Sequence, residues 1–506
     1  KDGGNKMRLQ FEPFYEEYLK KLAAYNLASA TMYTDQWTVA PSAGIPHANE
    51  MMAILAQELF QIENDPAMIE KIEAYHKTLP EGSLEQKEVK MRLDDLGHTR
   101  NVPADVYRDF VKARNDAGYY WHQAKEKNDY ALFKPYLVDL MNKSIEYMKY
   151  SPKYTGDNLY DVFLDAYEPG MNEEKYDAFF DVVKTELVPF IAKLRAEGRT
   201  IDDSMLSKSF DIERQERFMD TIMRYLRVDP TRVSLGTTEH PFTNFLSHND
   251  MRITTHYYPD RFLSAILSTV HEYGHALYGL QMDEMFEGTK LNENVGSAAH
   301  ESQSRFLENH IGRSKAFWQA NYDELVKQFP EFEAVGLDAL VDMINVSEPG
   351  LIRTEADELT YPLHILIRYE LEKDMAEGKM DYDQLPTLWA DKYEQYLGVR
   401  PQTDSEGVLQ DVHWSDGYLG YFPTYALGSA YAAQLYHTMA KQIDVDKALR
   451  EGRMEEITNW LKDNVHHYAG SKTMAEIVEI VSGEPFDPHY YVDYLKDKYS
   501  KLYGLK

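Results

Sequence analysis

Through roughly its first 230 residues this chain repeats apolar side chains every three or four positions. That spacing confines the region to amphipathic helices. Segments such as EPFYEEYLKKLAAYNLASATMY, EKYDAFFDVVKTELVPFIAKLRAEG and DIERQERFMDTIMRYLRV carry the pattern. Short Pro/Gly breaks separate them, for example LPEGS at 79–83 and YEPGM at 167–171. A chain of 506 residues has room for several domains. There is no internal repeat, low-complexity tract or Gly/Ser linker, however, so the expectation is a single large helical domain over residues 1–506. With 43% hydrophobic and 13% aromatic residues, it can fill a core.

The pattern changes once, near residue 250. DMRITTHYY mixes polar with β-branched and aromatic residues, as a short half-exposed strand does. Pro259 and Asp260 read as a helix start, and RFLSAILSTVHEYGHALYGL continues as helix. A strand beside that helix can offer backbone groups to an extended peptide, or it can simply pack.

Charge and cysteine usage narrow the chemistry. Acidic residues outnumber basic ones by 84 to 54, a formal charge of −30, which disfavours nucleic acid and anionic membranes as partners. No cysteine is present, so a metal site has to rely on histidine and carboxylate ligands. The N-terminus lacks the apolar core of a signal peptide, and no apolar run approaches 18 residues. A cytoplasmic protein is expected, in which the sequons at Asn142 and Asn345 are incidental and the stretch ahead of Met7 is an expression remnant.

On the second-half helix, Leu263, Leu267, His271, His275 and Tyr278 form one stripe, so two imidazoles project from one face a turn apart. This geometry lets both reach a single metal ion. Glu272 lies about 100° round from His271, flanking the ion without ligating it, which suits a base acting on metal-bound water. Gly274 costs roughly 1 kcal/mol against alanine in mid-helix. Its place on the histidine side leaves room for another segment or for substrate. Histidines on a buried face also serve as hydrogen-bonded core residues, and the next segment weighs against that reading. VGSAAHESQSRFLEN offers Ser297 as N-cap and a helix with Glu301, Arg305 and Glu308 on one side, a face suited to a polar cleft. Two histidines and Glu301 make a three-ligand catalytic zinc site.

Six motifs then fall in order: HPF from His240, DMRIT from Asp250, HEYGH from His271, HESQ from His300, IRTEAD from Ile352 and GVLQDVHW from Gly407. In these the chain resembles the carboxypeptidase Taq (thermostable carboxypeptidase 1) family. The resemblance implies a mainly α, saddle-shaped fold with a deep groove and a small β-sheet beside the HExxH helix, usually as a homodimer. It implies release of single C-terminal residues with broad preference, His271, His275 and Glu301 as metal ligands, and Glu272 as catalytic acid/base. The expected cofactor is Zn2+, with Co2+ or Mn2+ compatible with the same ligands.

Other roles follow from residue type and, for His413 and Tyr421, from a distant likeness to related helical zinc peptidases. His413 and Tyr421 suit stabilisation of the oxyanion, with His240 a third candidate. Arg353, then Arg252, suit the terminal carboxylate of a peptide substrate. Asp250 and Arg252 also fit a pair within the strand, and Asp357 or Glu355 fit carboxylates that orient the metal histidines. Two competing functions use the same residues: an oligoendopeptidase, and an inactive peptide-binding relative.

Overall fold

The computed structural model describes residues 9–505; the stretch ahead of Met7 lies outside them. Within that span the chain is mainly helical, with 21 α-helices and one three-stranded sheet among the described residues. The helices that frame the site are α1 (Pro13–Thr38), α2 (Ile45–Glu63), α3 (Leu84–Asn101), α4 (Leu159–Tyr167), α5 (Phe262–Gln281), α6 (Ser297–Arg305), α7 (Tyr361–Ala376) and α8 (Pro423–Gln442). The LPEGS and YEPGM breaks fall between helices, as their turn residues require.

The histidine-bearing α5 runs through the middle. Fourteen of its residues are buried, among them Phe262, Ile266, Val270, Tyr273 and Leu277. It begins at Phe262, after the expected start at Pro259 and Asp260. The Pro259 carbonyl accepts from the Phe210 amide at 2.7 Å, and the Arg261 carbonyl accepts from the Ser264 amide at 3.1 Å as the helix begins.

The sheet comprises β1 (Val233–Thr237), β2 (Thr243–Ser247) and β3 (Asp250–Thr255) in the order β1-β3-β2. β3 pairs parallel with β1 and antiparallel with β2. The DMRIT strand is therefore central, and Met251, Ile253, Thr254 and Thr255 are buried, not half exposed. It has no free edge for a peptide. β2 is an edge strand beside α5 and takes over that possibility. In its ladder the Thr254 amide donates to the Phe242 carbonyl at 2.9 Å, so the alternation turns the backbone groups of Thr243 away from β3.

α6 starts at Ser297, but the cap differs from the expected one. Gly296 holds the N-cap at φ 92°, and no side chain of that segment caps the helix. Glu168, from the YEPGM turn, accepts from the amides of Ala298 (2.8 Å) and Ala299 (3.2 Å). A carboxyl oxygen at a helix N-terminus satisfies N–H groups that have no partner within the helix. After Arg305 the helix widens into a π-helix, Phe306–Gly312.

Candidate metal centre

The close approach of α5 and α6 builds the site, and Gly274 makes it possible. A side chain at 274 would stand 2.6 Å from the Gln303 carbonyl oxygen and from Ser304 Cα, so the space is occupied by the α6 backbone. Gly428 of α8 does the same on the other side, where a side chain would come 2.7 Å from Glu301 Cβ. Glu301 is thereby held over the α5 histidines. Its Oε2 lies 3.7 Å from His271 Nε2 and 3.8 Å from His275 Nε2. Two ligand bonds of about 2.0–2.1 Å at a tetrahedral angle put donor atoms roughly 3.3–3.5 Å apart, so the three groups fit a zinc-sized ion with little movement. All three ligand atoms lie within 4.8 Å of one another.

The surrounding charges are ordered. Arg305 Nε donates to Glu301 Oε1 at 2.6 Å, leaving Oε2 toward the histidines. Arg305 also donates to Glu308 at 3.1 Å, and Glu308 Oε2 meets His271 Nδ1 at 2.7 Å. Burial pushes the Glu308 carboxyl up, but Arg305, His271 and Arg313 outweigh it and hold Glu308 well below the usual carboxylate range. Burial, then repulsion from His271 and His300, pushes His275 well below the usual histidine value, which keeps it neutral as a ligand must be. Glu308 fills the orienting role expected of Asp357 or Glu355. Asp357 instead accepts from Ser347 Oγ (2.7 Å) and the Thr360 amide (3.0 Å) just ahead of α7, and Glu355 is exposed.

Glu272 is buried beside the ligands. Thr243 Oγ1 donates to its carboxylate at 2.6 Å and to its backbone carbonyl at 2.9 Å, so β2 fixes its position. Burial raises the Glu272 carboxyl, while His271 and the Thr243 hydrogen bond pull it back. Thr243 was not singled out in the sequence; the only available signal was its place directly after HPF.

A cavity of about 1020 Å³ opens over these groups, lined by His271, Glu272, His275, Glu301, Tyr421 and Tyr425 among others. Tyr421 packs edge-on against Tyr167 (5.1 Å between centroids) and Tyr425 (5.3 Å). His413 stands one layer behind, against Phe422, with Nε2 3.3 Å from Tyr425 Oη. Burial, then the nearby Arg353, lower its pKa to about 4, so it is neutral at physiological pH. Arg353 is buried too: Nε and Nη2 contact Asp411 at 2.9 and 2.8 Å, and Nη1 donates to Tyr361 Oη at 3.1 Å. Arg368 meets the other oxygen of Asp411 at 2.6 Å. Two guanidinium groups thus share one carboxylate behind the Tyr361 and Tyr425 rings.

The remaining expected residues lie apart. Arg252 pairs with Asp250 on β3, with Nη2 2.8 Å from Oδ2, and does not line the cavity. His240 is exposed in the β1–β2 connection, where only its carbonyl is engaged, by Thr238 Oγ1 at 2.8 Å. Its neighbour Pro241 lines the cavity instead.

Comparison with known proteins gives the chain's family. The Carboxypeptidase Taq (M32) metallopeptidase family matches residues 14–499. Carboxypeptidase 1 of Bacillus subtilis (strain 168) is 38% identical over 98% of this chain and 99% of its own. Thermostable carboxypeptidase 1 of Thermus thermophilus is 34% identical over 99% of this chain and 98% of its own. Among solved structures, Pyrococcus furiosus carboxypeptidase superposes with a TM-score of 0.92 at 32% identity, covering 97% of this chain and all of that one. The M32 carboxypeptidase of Deinococcus radiodurans gives 0.91 at 31%, covering 97% and 98%. Matched along almost its whole length, the chain belongs to the carboxypeptidase Taq (M32) family and is a metal-dependent carboxypeptidase.

Proposed function

We propose that the chain is a zinc carboxypeptidase that removes C-terminal residues one at a time with broad preference, with His271, His275 and Glu301 holding the ion and Glu272 moving the proton. The observation that carries this reading is the meeting of five groups from two helices and a strand: His271, His275 and Glu272 of α5, Glu301 of α6 above them, and Thr243 of β2, which pins Glu272. A divalent ion bound there supplies Lewis-acid polarisation and a nucleophile at neutral pH. Glu272 has a carboxylate at the cavity wall, raised by burial, and takes the proton from water and passes it to the leaving amine. Tyr421 presents its hydroxyl to the developing oxyanion, and His413 supports it, with its ring 5.7 Å from that of Tyr421 and its Nε2 3.3 Å from Tyr425 Oη.

Recognition of the free C-terminus is assigned to the Arg353 side of the cavity. Arg353 and Arg368 carry two positive charges against the single Asp411, and that excess draws a carboxylate toward Tyr361 and Tyr425. The ligand set accepts cobalt or manganese as well as zinc. Among the described residues no helix is long and apolar enough to cross a membrane, and we assign the enzyme to the cytoplasm. We also assign it as one domain forming a homodimer through α1 and α2: α2 has no buried residue, and Trp37, Val39, Ile54 and Phe60 are exposed. Sedimentation equilibrium tests the dimer, with a monomer at micromolar concentration counting against it.

The direction of attack is tested by a timed digest of one peptide read by mass spectrometry. The expected result is a ladder shortened one residue at a time from the C-terminus. Amidation of that end should slow it at least about tenfold, since hydrogen bonds to charged groups contribute roughly 1.5–3 kcal/mol. Arg353→Ala should reduce this discrimination while metal binding persists. Efficient internal cleavage of the amidated peptide would support an endopeptidase.

A further inference from the structure

Leu19, Ala23 and Leu27 follow one another at four-residue spacing along one face of α1. That face also walls a second cavity, of about 890 Å³. Phe245 of β2, Met251 of β3 and Met282 form the opposite wall. Phe245 is 40% exposed and packs against α5 at Gly279, where a side chain would meet its ring at 2.9 Å.

This cavity shares two lining residues, Glu293 and His300, with the metal cavity. His300 lines both, with its ring 5.6 Å from His275 and 5.3 Å from Phe245. The two ends of the catalytic groove are thus distinct along α5. His271 is flanked by Glu308 and Arg305, toward Tyr361 and Arg353, whereas His275 leads through His300 to Phe245. From the level midway between the histidines to Gly279 is six helical residues, or about 9 Å. An extended peptide covers that in roughly three residues. The cavity is lined by Glu16, Glu284, Glu287 and Glu293 against Lys20 and Arg92, an acidic excess that disfavours a carboxylate end and suits the amino end of a chain.

We infer that the cavity under α1 receives the part of the peptide upstream of the cleaved bond, and that it selects an apolar side chain about three residues to the amino side of that bond. This rests on the peptidase reading above. It gives the enzyme a preference set away from the terminal residue, read by Leu27 and Phe245.

The test uses N-acetylated pentapeptides with a common C-terminal residue, carrying Leu, Ser or Asp at each of the second to fourth positions on the amino side of the terminal bond. An N-acetylated dipeptide with the same last two residues is run alongside. At one of those positions Leu should exceed Ser in kcat/KM by roughly ten- to hundredfold, the worth of burying one leucine side chain, with Asp poorer still. Leu27→Glu should bring the Leu/Ser ratio close to one, and so should Ala23→Glu, on the same exposed face. Hydrolysis of the dipeptide without any upstream preference in the unmutated enzyme overturns the groove assignment alone. An unchanged ratio in both variants does the same. Failure to hydrolyse either substrate overturns the peptidase reading, and the groove assignment with it.

Discussion

Nδ1 of His271 stands 2.7 Å from Oε2 of Glu308, although 37 residues separate them and a π-helix carries the carboxylate. The contact fixes which ring nitrogen of His271 points at Glu301. It also lets Arg305 brace both carboxylates from one position, at 2.6 Å to Glu301 and 3.1 Å to Glu308. Loss of such an outer partner typically weakens metal binding about 10- to 100-fold. Glu308→Ala is therefore expected to raise the metal dissociation constant by that factor, measured by competition with a chromogenic chelator. Unchanged affinity would show that Glu308 is only an ion-pair partner of Arg305.

Gly274 gives a prediction of the opposite kind, a methyl group that does not fit. Gly274→Ala would press on the backbone of Gln303 and Ser304, which cannot yield as a flexible side chain can. Overpacking of this sort costs roughly 1–3 kcal/mol. Thermal unfolding should show the loss, together with weaker metal binding as α6 and Glu301 are pushed off. Gly118, in a helix with nothing within 4 Å of an added methyl group, is the control. Alanine there should raise stability by about 0.8–1 kcal/mol.

Glu168 predicts a pH effect. Its carboxyl, buried at the start of α6, is raised from 4.5 to about 8, chiefly by burial and against the pull of the Ala299 and Ala298 amides. A group whose pKa rises on folding takes up a proton as the chain folds. Its contribution is thus fully present below pH 4.5 and is lost progressively as pH climbs to about 8. Relative to Glu168→Gln, the unmutated protein should lose thermal stability across that window. Parallel melting temperatures for the two proteins from pH 5 to 8 would count against a protonated Glu168.

Much of the candidate metal centre is legible in the sequence because its parts are local. The four-residue spacing of His271 and His275 fixes a shared face, and Glu301, Arg305 and Glu308 follow their own helical spacing. What escaped was set by tertiary contact. Thr243 reaches Glu272 across 29 residues, and Glu168 caps α6 across 130. Neither distance leaves a local pattern. The DMRIT strand looked half exposed because Arg252 and the threonines are polar, yet it is the middle strand and hides Thr254 and Thr255. Arg353 and Arg368 could not be told from surface cations, since nothing in sequence links them to Asp411. The α1 stripe showed an apolar face but not that part of it borders a groove.

Glu272 touches Thr243 and faces the cavity, beside the three ligand atoms that His271, His275 and Glu301 offer to an ion. The most direct test measures bound metal and peptide turnover together in Glu272→Gln. About one divalent ion per chain should remain, because no ligand is altered, while turnover falls by at least about two orders of magnitude, the lower end for a lost general acid–base. A variant that keeps its metal and most of its activity would contradict the role given to Glu272. Loss of the metal itself would show that Glu272 belongs to the ligand set.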